Sequence, residues 1–237
     1  MTHTVHPYAH RLGIVRDWKS RWFAADKKSY RENIKVDETI RRFLDKRLRG
    51  TYVSDIEIER SAGELRVILS TARPGLVIGR SGENAVKLRK ELTDVVRKVS
   101  RRTLPAAGPL RRQSEASTQI KLDILEVRQP ETNAAVVASM VVEGLEKRLP
   151  FRRVLKQTVE KVIAAREVEG VRIALAGRLG GAEMSRKEHL KKGRIPLQTF
   201  RADIDFAHED AHLPYGVIGV KVWIYRGNVY QDKKAPA

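Results

Sequence analysis

Apolar and polar positions alternate or recur along most of this chain, and the period changes several times. Residues 1–36 hold no sustained period and mix Arg and Lys with Trp18, Trp22, Phe23 and Tyr30. They read as an arm with local structure. Asp37 stands where an N-cap would open a helix to about Arg49, with Ile40, Phe43, Leu44 and Leu48 on one face and Gly50 as the stop. Ile56 and Ile58 then alternate with Asp55, Glu57 and Glu59. Leu65, Val67 and Leu69 alternate in the same way after Ser61-Ala62-Gly63. A period of two around a short Gly-containing loop predicts a hairpin. From Glu83 the spacing changes to three and four through Ala85, Leu88, Leu92, Val95 or Val96, and Val99, which makes one helical stripe. Residues 100–118, with Pro105, Gly108 and Pro109 between two Arg pairs, read as a loop or insertion. Ile120, Leu122 and Ile124 restore the strand period.

A second unit opens after Pro130. Thr132 or Asn133 can cap a helix to about Arg148, and Pro150 separates it from another carrying Phe151, Val154, Leu155, Val159, Val162 and Ile163. Four strands are expected next: Val171 to Leu175, a segment near 182–190, one through Ala202, Ile204 and Phe206, and Val217 to Tyr225. The last is apolar on both parities, which predicts a central strand. The pattern therefore divides the chain into an arm (1–36), a first α+β domain (37–129, with the insertion at about 100–118), a second domain (130–227) and a tail (228–237). The second domain is a two-layer α+β unit, two helices on a four-stranded antiparallel sheet.

Composition narrows what such a chain can do. Among 237 residues, 47 are Lys or Arg and 29 are Asp or Glu, a formal net charge of +18, while 41% are hydrophobic. That is enough apolar material for a core, so the chain is not a disordered polycation. Cysteine is absent, which removes disulfides, thiolate metal sites and a Cys nucleophile. No run approaches the length of a membrane span, and the first residues lack the apolar stretch of a signal peptide. The expected partner of a folded, strongly basic protein is nucleic acid. The charge is also uneven. Residues 1–50 and 151–200 each carry net +7, residues 51–100 and 101–150 net +2 each, and the remainder is neutral.

Several motifs carry chemistry. Gly79-Arg80-Ser81-Gly82 lies between a short apolar segment, Pro74 to Ile78, and the long amphipathic helix. G-x-x-G alone is common in ordinary turns. Here it follows helix and hairpin and precedes one strand, which is the setting of a type II KH domain, whose loop clamps about four nucleotides. Glycine lets a sugar–phosphate chain approach without a Cβ, and Arg80 adds a charge. Arg152, Arg153 and Lys156 lie on adjoining faces of one helix, and neither arginine has an acidic i+4 partner, a pattern suited to phosphate. Gly177-Arg178-Leu179-Gly180-Gly181 lacks dinucleotide-binding spacing and reads as a tight hairpin with Arg178 at its tip. Arg186, Lys187, Lys191, Lys192 and Arg194 follow as a second basic cluster. His208-Glu209-Asp210-Ala211-His212 matches H-E-x-x-H, so a zinc hydrolase at His208 and His212 is the rival from another class. The segment lies between two strands, with Pro214 close behind, and reads as a polar loop rather than a helix. No metal or cofactor is expected.

These strings together resemble the family of bacterial small-subunit ribosomal protein three. The likeness runs over nearly the whole chain: Val5-x-Pro7, Arg11-Leu12-Gly13-Ile14-Val15, Trp22, Thr71-Ala72-Arg73-Pro74-Gly75, Val77-Ile78-Gly79, Glu126-Val127, Phe151-Arg152-Arg153, Gly177 to Glu183, Gly193-Arg194-x-Pro196-Leu197, and Leu213 to Tyr225. Thr2-His3-Thr4 and His189-Leu190 depart from the family pattern. The resemblance implies a non-enzymatic component of the small-subunit head in a cytoplasmic ribosome, an organellar ribosome being the alternative. Its implied partners are ribosomal RNA, messenger RNA and neighbouring head proteins. It implies that Arg152, Arg153 and Lys156 face incoming message and help unwind it, without nucleotide hydrolysis. Contacts with ribosomal RNA are expected from Arg11, Arg16, Lys19, Arg21, Arg178, Arg186, Lys187, Lys191, Lys192 and Arg194. A free KH-domain factor in RNA processing is the second reading.

Overall fold

The structure, a computed structural model, describes residues 5–61, 63–103 and 119–230. Most of the 100–118 insertion and the end of the tail lie outside these residues. Two compact units emerge, one from residues 19–128 and the other from residues up to 18 together with those from 129 onward.

In the first unit a two-residue strand β1 (Ser20–Arg21) precedes helix α1 (Lys27–Arg47). Strands β2 (Val53–Ser61) and β3 (Glu64–Thr71), helices α2 (Pro74–Ile78) and α3 (Glu83–Thr103), and strand β4 (Gln119–Glu126) follow. The sheet order is β1-β2-β3-β4, with β2 and β3 antiparallel and both outer pairs parallel. Period-two alternation turns Ile58, Leu65, Val67, Leu69 and Ile120 to one face, where Ile40 and Leu44 of α1 and Leu88 and Leu92 of α3 bury them. The other face is a lattice of opposite charges. Arg21 pairs with Glu57 and Glu59, Arg66 with Glu59 and Asp123, and Lys121 with Glu64. That pairing explains the near-neutral charge of this stretch.

Three expectations need correction here. Helix α1 begins at Lys27, ten residues before Asp37. Asp37 is therefore no N-cap. It lies buried inside the helix, its carboxylate accepting from Arg60 Nη2 (2.5 Å) and from Trp22 Nε1 (2.8 Å). Burial of a carboxylate needs such partners, and they sit far away in sequence. The stretch 1–36 is also not one arm, because Ser20–Arg21 pairs with β2 and residues up to 18 belong to the other unit. Helix α3 runs on to Thr103, past the break expected at 100.

In the second unit Asn133 caps helix α4 (Ala134–Glu146), its side chain accepting from the amides of Ala135 and Val136. Helix α5 (Phe151–Ala164) starts directly after Pro150. Strands β5 (Gly170–Gly177), β6 (Arg186–Gly193), β7 (Ala202–Leu213) and β8 (Gly216–Asn228) form an antiparallel sheet in the order β6-β5-β8-β7. The strand apolar on both parities, β8, is central as its composition requires. Both helices pack on one face over Val171, Ile173, Leu175, Val220, Val222 and Ile224. Part of the opposite face has its own small core of Ala202, Ile204, Trp223 and Tyr225, with His6 of the N-terminal segment edge-on to Phe206 at 4.5 Å.

Strand β6 begins later than the expected 182–190, because Arg178 to Ser185 form an irregular connection with one helical turn, Leu179–Gly181, rather than a tight hairpin. Where β5 begins and β6 ends, a Cβ on Gly193 would stand 2.1 Å from the carbonyl oxygen of Glu169, so no other residue fits. His208 to His212 lie within β7, not in a loop. Ala207 and Ala211 are buried on the core side, and Glu209 accepts from Ser139 Oγ (2.7 Å). His208, Asp210 and His212 point to the other side. A strand cannot build the one-faced helical pair of histidines that H-E-x-x-H chemistry needs.

Candidate nucleic-acid interface

The Gly79–Gly82 loop connects α2 to α3 in the first unit. The amide of Gly79 donates to Gly75 O (2.9 Å), closing α2. Gly79 has φ +74°, a conformation that favours glycine, and a Cβ there would come within 2.6 Å of Asn84 Nδ2 and push that side chain aside. Ser81 adopts φ +52° and Gly82 φ +79°. The chain thus turns sharply and presents Arg80 and Ser81 outward at the N-terminus of α3. Arg80 is exposed and forms no ion pair among the described residues. Leu76, Ile78 and Val86 are exposed on the flanking helices, 57%, 38% and 56% accessible. A cationic loop beside apolar surface suits a backbone phosphate on one side and bases on the other.

The second element is the start of α5. Val154, Leu155, Thr158, Val159 and Val162 are buried against the sheet, which turns Arg152, Arg153 and Lys156 to solvent. The first turn of α5 contains no acidic residue. Two arginines at the positive end of a helix run against the usual charge bias, at a cost of about 0.3–1 kcal/mol each. The turn itself holds no carboxylate to offset that cost, and Glu188 of β6 reaches Arg152 alone of the two, so an anion would offset the rest. The Arg152 guanidinium lies 5.7 Å from the Phe151 ring and its Nε is 3.6 Å from Glu188 of β6. Arg186 approaches the same ring at 5.5 Å and the same carboxylate at 3.1 Å. The structure therefore gathers Arg186 with Arg152 around Phe151, a grouping that residues 34 apart in sequence do not announce.

The cluster on β6 does not stay together. Pairing with β5 sends Arg186, Glu188, Leu190 and Lys192 to the helix side and Lys187, His189 and Lys191 to the other. All the cations, with Arg194 just beyond, are exposed. Lysine on an edge strand also discourages pairing with another chain, so the two faces serve solubility as well as any ligand.

The remaining predicted residues are placed differently. Arg11 is fully buried. Its Nε donates to Ala202 O (2.6 Å), Nη1 to Pro7 O (2.9 Å) and Nη2 to Thr199 O (3.0 Å). It clamps the N-terminal segment onto the second unit and has no exposed surface for RNA. Arg16 donates to Asp203 (2.8 Å) and lies 3.8 Å from Asp205, and Arg226 bridges the same two carboxylates at 3.7 and 3.1 Å. Lys19 pairs with Asp55, and Arg21 with Glu57 at 2.6 Å. Arg178 is exposed, yet donates to the carbonyls of Ala182 (2.9 Å) and Tyr215 (3.2 Å) and so braces its own loop. Among the described residues there is no group of three or more His, Cys, Asp or Glu placed to hold a metal, and no helix long and apolar enough to cross a membrane.

A glycine-braced G-x-x-G turn between two helices, over a sheet that mixes parallel and antiparallel pairs, defines a KH-type RNA-binding module joined to a second α+β unit. Residues 39–132 match the KH domain family and residues 141–224 match ribosomal protein S3, C-terminal domain. Similar proteins include the small ribosomal subunit protein uS3 of Oleidesulfovibrio alaskensis, 43% identical over 98% of this chain and 99% of the relative. The protein of the same name from Caldicellulosiruptor saccharolyticus is 43% identical over 100% and 97%, and that from Marinobacter nauticus 42% over 99% and 97%. The chain belongs to the bacterial-type ribosomal protein S3 family, a structural and non-enzymatic one.

Proposed function

We propose that the protein binds ribosomal RNA as a structural part of the small-subunit head. Its KH loop and the exposed cations of the second unit supply the phosphate contacts. In this reading Arg152, Arg153 and Lys156 line the channel by which messenger RNA enters and hold single-stranded message as it opens. Neighbouring head proteins complete its partners, in the cytoplasmic ribosome.

The observation that carries the message-facing role is the first turn of α5: exposed cations at the positive helix end, with no carboxylate in the turn. Such a site grips phosphates along a strand and has no means of hydrolysing a nucleotide, so the energy for opening paired message comes from translocation. The test is translation by ribosomes carrying Arg152→Ala, Arg153→Ala and Lys156→Ala together. Assembly should be unaffected, and elongation through stable hairpins should slow several-fold while unstructured message is read normally. Equal slowing on both messages would contradict the role. For the KH loop, Arg80→Asp with Ser81→Asp should weaken single-stranded RNA binding by the free protein at low salt, and unchanged affinity would remove the loop from the interface.

A further inference from the structure

The N-terminal third of α1 carries a stripe that neither the KH loop nor α5 accounts for. Trp22 turns inward to Asp37, which fixes the chain so that the next residue, Phe23, projects into solvent. Its side chain is 89% accessible. Along α1, Lys27, Tyr30, Arg31, Ile34 and Lys35 follow at spacings of three and four and therefore share one face. Val36, on the opposite side of the helix, is buried, and so is Asp37, which continues the stripe one turn on under Trp22 and Arg60. Tyr30 and Ile34 remain 53% and 45% accessible. The stripe lines an open cavity of about 520 Å³ with Ala24, Ala25 and Asp26.

The charges on this face match one kind of partner. Lys27, Arg31 and Lys35 make no ion pair among the described residues, and Glu32 lies off the stripe. Asp26 at the rim is the one carboxylate, and it does not cap the helix. The first turn of α1 has no acidic residue and begins Lys27-Lys28, the same reversal of charge bias found at α5. Cations alternating with an aromatic and an aliphatic side chain, under a second, fully presented aromatic, form a stacking platform with phosphate contacts along its edge. A protein partner would more often meet a surface depleted of lysine.

We propose that this face binds an unpaired segment of ribosomal RNA, with bases stacked on Phe23 and Tyr30 and phosphates held by Lys27, Arg31 and Lys35. The proposal is independent of the message-facing role of α5.

The test uses the full chain in a background carrying Arg80→Asp and Ser81→Asp, so that the KH loop does not dominate binding. The probes are a short oligouridylate and an abasic oligomer of equal length. Phe23→Ala with Tyr30→Ala should weaken oligouridylate binding about tenfold and leave the abasic oligomer unchanged. Lys27→Ala, Arg31→Ala and Lys35→Ala together should weaken both probes and lower the slope of log affinity against log salt by about 2. Unchanged oligouridylate affinity in the aromatic double variant would overturn the proposal. In assembled small subunits, a photoreactive phenylalanine analogue at position 23 should crosslink to ribosomal RNA. Crosslinks to another protein instead would overturn it in favour of a protein interface.

Discussion

The N-terminal segment up to residue 18 and the first turn of α5 each carry two arginines, and the structure uses them in opposite ways. Arg11 and Arg16 face inward, onto backbone carbonyls and the carboxylates of Asp203 and Asp205. Arg152, Arg153 and Lys156 face outward from a helix whose other side fills the core. A net charge of +18 is thus a sum over two populations. One holds the protein together and the other is available to a polyanion. The difference comes from whether a cation finds an acceptor within the fold. Where it does, pairing and burial consume it. Where it does not, or where it only shares a carboxylate at the surface as Arg152 shares Glu188 with Arg186, it remains solvated.

The comparison can be broken at either end. The largest effect is expected from Arg11→Ala. Five carbonyls would lose a charged donor in a dry site, at about 3 kcal/mol. The second unit's melting temperature should fall by roughly 10 °C, while the salt slope of RNA binding stays constant. Calorimetry of the full chain and a salt titration together check this, and a reduced slope without destabilisation would place Arg11 at the RNA. The reverse pattern is expected for Arg152→Ala, Arg153→Ala and Lys156→Ala combined. The slope should drop by about 2 on single-stranded RNA, with stability changed by no more than about 0.5 kcal/mol. A double-mutant cycle of Arg16→Ala against Asp203→Ala should give a coupling of about 1 kcal/mol in unfolding, as a half-buried member of a four-charge network. Smallest is Glu188→Gln. Removing the carboxylate that Arg152 and Arg186 share should raise single-stranded RNA affinity about threefold, because an exposed pair holds less than 1 kcal/mol. A fall in affinity would mean that Glu188 is needed to aim the arginines.

Much of the fold was legible because it rests on periods. The alternation at Ile56–Leu69 and Ile120–Ile124, the stripe of α3 and the double-parity run of β8 all mark elements that bury one face or both. The first ten residues of α1 were not legible. They offer no buried stripe, since Tyr30 and Ile34 face solvent, and Asp37 mimics a cap. β7 was cut short for a related reason. Its far half carries His208, Glu209 and Asp210 on both parities, and only the small Ala207 and Ala211 mark the buried side.

The site divides along the same line. The G-x-x-G loop is local, so its glycine requirement and its position before α3 follow from neighbouring residues. The fate of each arginine is not local. Arg11 bonds a carbonyl 191 residues away, and Arg152 meets Glu188 across a helix and a strand. No period or motif distinguishes Arg11 from Arg153. What could have hinted at it is the setting: Arg11 directly precedes a short, mostly apolar string, Leu12 to Val15, that turns at Gly13, whereas Arg153 stands on an amphipathic helix whose polar face is visible.

The division of charge is tested most directly by arginine-selective modification read by mass spectrometry. It would be applied to the free protein, to assembled small subunits, and to subunits loaded with message. Arg11 should be unreactive in all three states. Arg152 and Arg153 should react in the free protein and in empty subunits, and become protected when message is bound. Arg11 reacting in the free protein and becoming protected only on assembly, or Arg152 and Arg153 indifferent to message, would contradict that division.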